Sequence, residues 1–79
     1  MELEIEDALE EIYQNIKINV NYKEVRQYEI VIGIEKGGVL YEISFVYTYN
    51  ARLTFDANID TIKNIIDNRV ILAFYKKGE

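Results

Sequence analysis

Seventy-nine residues, 49% of them hydrophobic, are enough for one small globular domain over 1–79 with a thin core. There is no cysteine and no histidine, which excludes disulfide frameworks, thiolate metal sites and the Ser–His or Cys–His catalytic pairs. The formal charge is −5, and it originates at the start of the chain: residues 1–16 hold six acids and no base, while Lys17 onward holds eight acids and nine bases.

That first stretch has a helical period. Ile5, Ala8, Leu9, Ile12, Tyr13 and Ile16 fall three and four residues apart and form one apolar stripe. Glu4, Glu6, Asp7, Glu10 and Glu11 cover the rest of the surface, the earlier ones favoured by the positive end of the helix dipole. A helix from Glu4 to about Lys17 is expected. Ile18, Val20 and Tyr22 then alternate with Lys17, Asn19 and Asn21, which suits a short extra strand or an extended linker.

A hairpin follows. Val25–Glu35 carries Tyr28, Ile30, Ile32 and Ile34 on one face, and Val39–Tyr49 answers with Val39, Tyr41, Ile43, Phe45, Tyr47 and Tyr49. Between them Lys36-Gly37-Gly38 supplies the positive φ angles of a tight turn. Asn50-Ala51 would turn the chain into a further strand, Arg52–Phe55. Asp56 or Asn58 would cap a second helix with Ile59, Ile62, Ile65 and Ile66 on its apolar face and a stop at Asn68. Val70–Tyr75, apolar on both sides, reads as a last strand. The expectation is an α+β domain in the order α-β-β-β-α-β, with a short strand after the first helix as an addition. It would have one mostly antiparallel sheet of three to five strands and both amphipathic helices on one face.

Motifs for chemistry are scarce. Ser44 lies mid-strand with no base near it in sequence, and Gly37-Gly38 lacks the strand–loop–helix context of a phosphate cradle. Asp56, Asn58, Asp60, Asn64 and Asp67 match five spacings of an EF-hand loop, but Thr61 replaces its glycine and Asp67 its bidentate Glu. The isoleucines between them keep a helical period, so a capped helix with a polar outer face is the better reading. No catalysis, metal or cofactor is expected. Seven tyrosines invite comparison with base-stacking sheets, but those sheets are basic and these tyrosines share faces with Ile and Phe. They read as core or rim residues, with Tyr49 the most exposed.

The acidic helix is the strongest functional signal. Such a face either solubilises a small protein or docks on a basic protein surface, and carboxylates along a helix can imitate the charge of a phosphate backbone. The reading adopted is a non-enzymatic interaction module. Glu4, Glu6, Asp7, Glu10 and Glu11 would engage a basic partner, with inhibition of a nucleic-acid-handling enzyme, in the manner of phage and mobile-element inhibitors, as the fitting role. The runner-up is a homodimeric domain whose tyrosine-lined sheet binds a small ligand, with Tyr49 in the site. Val31, Leu40 and Val46 on the sheet's other face would form an interface, so a homodimer is expected, packed sheet to sheet or through edge strands. Scattered bases argue against direct nucleic-acid binding. The acidic start and the lack of a long apolar run argue against a signal peptide or a membrane span, which makes the cytoplasm the expected location.

Overall fold

In the computed structural model, which describes residues 1–71, helix α1 (Glu2–Ile12) precedes strands β1 (Lys17–Glu24), β2 (Gln27–Lys36) and β3 (Val39–Thr48), and helix α2 (Phe55–Ile71) follows. The class is α+β, and the three strands form one antiparallel sheet in the order β1-β2-β3. Ile18 pairs with Ile32 and Val20 with Ile30. Across the second ladder Ile30 pairs with Phe45 and Ile32 with Ile43. Alternation therefore sends one set of side chains from all three strands to the same face.

That face meets the apolar stripes of the helices. Ile5 and Leu9 of α1, Ile59, Ile62 and Ile66 of α2, and Ile18, Val20, Tyr28, Ile30, Ile32 and Tyr47 of the sheet form a single buried core. Full burial of an aliphatic side chain contributes about 1.5–3 kcal/mol, so this cluster supplies most of the force that holds helices to sheet. Ile43 and Phe45 are half-buried, Phe45 packed against this core, whereas Ser44 and Val46 on the opposite face are exposed. Gly33 also lies on that opposite face. The Cδ1 of Leu40 reaches to within 3.5 Å of where a Gly33 side chain would begin.

Two turns build the meander. Gly37 and Gly38, with φ of 62° and 79°, close β2 to β3 as a two-residue turn that only glycine adopts without strain. The β1–β2 turn instead uses Val25 and Arg26, with Arg26 at φ 64° and a bulge between Tyr22 and Glu24. Val25 is thus turn rather than strand.

Several expectations change. Helix α1 ends at Ile12 and not near Lys17, where β1 already begins. Arg52–Phe55 is not a strand, because Thr54 caps α2: its Oγ1 accepts from the Ala57 N–H at 3.1 Å, and Phe55 is already helical. Asp56 and Asn58 therefore lie inside the helix rather than capping it. Asn68 does not stop the helix, which continues to Ile71 because Val70 packs onto the core and extends the apolar face by a turn. Val70 and Ile71 are accordingly helical, and the remainder of the expected strand Val70–Tyr75 lies outside the described residues. The observed order over the described residues is α-β-β-β-α. The EF-hand spacing falls within continuous helix, so its side chains are wound along α2 instead of facing inward from a loop.

Candidate partner-binding groove between the helices

Asn58 is the buried polar residue that fixes where α2 begins. Its Oδ1 accepts from the Tyr47 hydroxyl at 2.6 Å and from the Asn50 N–H at 2.9 Å. Its Nδ2 donates to the Asn50 and Thr54 carbonyls at 3.0 and 2.9 Å. All four hydrogen-bonding positions of the amide are filled inside the protein, so burial carries no orphaned dipole. The bonds tie the end of β3, the connection and the first turn of α2 together.

The other end of α2 is tied to α1. The Tyr13 hydroxyl donates to Asp67 Oδ1 at 2.5 Å and to the Lys63 carbonyl at 3.2 Å, while Lys63 Nζ lies 3.0 Å from Asp67 Oδ2. Burial, and then the neighbouring carboxylate, push the Tyr13 hydroxyl well above its ordinary titration range. The Tyr13 hydrogen bond, assisted by Lys63, holds Asp67 below the usual carboxylate range.

With both ends positioned, a groove of about 390 Å³ opens between the helices. Ala8 and Ile12 of α1 and Ile59 of α2 give it apolar walls, and Glu11, Asp56 and Asp60 give it three carboxylates. Ile12 remains 41% exposed, a large apolar side chain left to solvent beside these charges. Among the described residues no base lines the groove. Of the five acids that the sequence assigned to partner binding, only Glu11 belongs to it. Asp56 and Asp60 come from the second helix, and their spacing of four around Ile59 was the available signal.

The remaining acids of α1 divide. Asp7 and Glu10 are exposed, and so is Glu4, whose carboxylate lies 2.9 Å from the amino group of Met1, a hydrogen bond that lowers its titration range. Glu6 is different. Its Oε1 accepts from the Val20 N–H at 3.0 Å, and Glu2 Oε2 accepts from the Tyr22 N–H at 2.9 Å. Four residues of helix advance about 6 Å and two residues of strand about 6.7 Å, so carboxylates at i and i+4 match alternate amides along a strand. The helix thereby occupies the Val20 and Tyr22 amides on the outer edge of β1. Glu6 is thus engaged within the fold, a role that its place in an acidic run does not reveal.

Tyr28 and Tyr47 are buried in the core, where burial raises their titration. Tyr49, expected to be the most exposed tyrosine, is instead half-buried against that core, and Tyr22 and Tyr41 are the exposed ones. Val31 is half-buried on the far face of the sheet, beyond which Leu40 and Val46 are exposed. Among the described residues no three potential metal ligands converge, and no helix is long and apolar enough to cross a membrane. No protein-family model, curated protein or solved structure matches the chain.

Proposed function

We propose that this protein is a non-catalytic interaction module that takes a basic segment of a partner protein into the groove between α1 and α2. The observation that carries the reading is the lining of that groove: Glu11, Asp56 and Asp60 around Ala8, Ile12 and Ile59, with no base among the described residues that line it. A lysine or arginine side chain suits such a place, since its aliphatic stem covers apolar walls while its head meets carboxylates. Glu4, Asp7 and Glu10 on α1 extend the negative field beyond the groove and would speed encounter with a basic surface. Proteins that handle nucleic acid present such surfaces, and occupying one of them would inhibit the enzyme. The cytoplasm is the setting in which such a partner would be met.

The test is a titration of isotopically labelled protein with a short Lys/Arg-rich peptide, followed by NMR at low and physiological salt. Amide shifts at Ala8, Glu11, Ile12, Asp56, Ile59 and Asp60, weakening as salt rises, are expected. The combined variant Glu11→Gln, Asp56→Asn, Asp60→Asn should fold normally and lose about tenfold or more in affinity, as expected when several charge-assisted contacts go together. Undiminished affinity in that variant would overturn the reading. Affinity capture with parent and variant side by side extends the same comparison to identified cellular partners.

A further inference from the structure

The two edges of the sheet are treated differently. On β1 the Val20 and Tyr22 amides point away from β2 and are taken by Glu6 and Glu2. This fixes the ladder pattern. Because Val20 turns its N–H outward, the Val20–Ile30 pair is a non-hydrogen-bonded one, so Ile30 bonds to Phe45 on its other side. The odd-numbered residues of β3 therefore bond to β2, and the peptide groups of Leu40, Glu42, Ser44 and Val46 face the open edge. Among the described residues no strand or helix lies along that edge.

An open edge ten residues long, without proline or lysine, is a template for another strand. The residues on it suit the same strand in reverse. With a two-fold axis at Ile43, antiparallel pairing sets Leu40 opposite Val46 of the second copy and Val46 opposite its Leu40, joining side chains that are 53% and 57% exposed. In the same register Glu42 faces Ser44, so the strand's charged residue meets a small polar one and not its own copy. Shifting the axis to Ser44 would put Glu42 opposite Val46 and lose both apolar pairs.

We propose that two copies of this chain associate through β3, antiparallel about Ile43, to make one continuous six-stranded sheet. The assembly closes at two, because on each partner's other edge the Val20 and Tyr22 amides are already held by Glu6 and Glu2. The contact lies on the sheet edge, away from the groove between the helices, and the proposal stands independently of the function proposed for that groove. Its area belongs with small interfaces, so association is expected at micromolar concentration or above.

Sedimentation and light scattering over a concentration series should show the 9.3 kDa species giving way to one of twice that mass and no larger. Ser44→Pro removes an amide that points to the open edge while leaving the β2 ladder whole. It should preserve the circular dichroism spectrum and weaken association by about tenfold or more, since symmetry deletes two bonds at once. Leu40→Lys alone should also weaken association, and Leu40→Lys with Val46→Glu should restore it, because each new lysine then faces a new glutamate. A mass of 9.3 kDa at all concentrations would overturn the proposal, as would unlimited growth. A folded Ser44→Pro protein that associates like the parent would do the same. Failure of the charge pair to rescue would overturn the register.

Discussion

Replacing Asn58 by alanine should be among the most damaging single changes available in this protein. The substitution deletes four hydrogen bonds, one to the buried Tyr47 hydroxyl and three to backbone groups of Asn50 and Thr54 in a part-buried site. At roughly 1 kcal/mol per bond the loss is about 4 kcal/mol, and alanine's better helix propensity returns roughly 0.6 kcal/mol. A domain of 79 residues has a total stability on the order of 4–12 kcal/mol, so a net loss near 3–4 kcal/mol consumes a large part of it. Urea denaturation followed by circular dichroism measures this directly, with Asn64→Ala as the control: the same chemistry on an exposed position of the same helix, expected within about 0.5 kcal/mol of the parent. Asn58→Asp sharpens the test. It turns a donor into an acceptor facing the Asn50 and Thr54 carbonyls, so the neutral acid is favoured in the fold and its titration point rises. The contribution of this position would then be greatest below about pH 4, the unfolded value, and would be lost as pH climbs through the raised folded value. An Asn58→Ala protein within 1 kcal/mol of the parent would refute the claim that this amide organises the β3–α2 connection.

Two other expectations follow from the ties of α1. Glu6→Ala should cost about 1 kcal/mol and hasten hydrogen exchange at Val20, with Glu2→Ala doing the same more weakly at the exposed Tyr22 amide, while Glu10→Ala stays within about 0.5 kcal/mol of the parent. Because Asp67 titrates below its ordinary value, its contribution is present above about pH 3.8 and disappears as pH falls through the lower folded value. Asp67→Asn should therefore flatten the acid limb of the stability curve by a few tenths of a kcal/mol, the modest size reflecting a side chain still 40% exposed.

Features governed by short-range rules were legible in the chain. The three-and-four spacing around Ile5 and Leu9, the alternation through Ile30 and Ile43, and the glycine pair at the hairpin each express a local rule, and each led to an element of the α+β fold. What escaped depends on residues meeting from a distance. Arg52–Phe55 has the composition of a strand, but Thr54 and Asn58, held by Tyr47 and Asn50, start a helix there. The turn at Val25-Arg26 contains neither glycine nor asparagine, so it carries no turn signature, yet the pairing of β1 with β2 imposes a positive φ on Arg26. For the groove, one helix supplied the visible acids and the other supplied two that only packing brings alongside. Glu6 shows the converse: its carboxylate looks like a surface charge in sequence and serves the backbone of a strand 14 residues away.

The sheet is a meander in which each strand pairs with its neighbour in sequence, whereas Tyr13 and Asp67 are 54 residues apart. Contacts between close neighbours form early and at small entropic expense, and the closure that joins the two ends of a chain waits for them. In this chain the junction of the helices should therefore be the last part of the structure to assemble and the first to breathe. The groove sits at that junction, so a partner that touches both helices would brace the contact that joins the most distant parts of the described sequence.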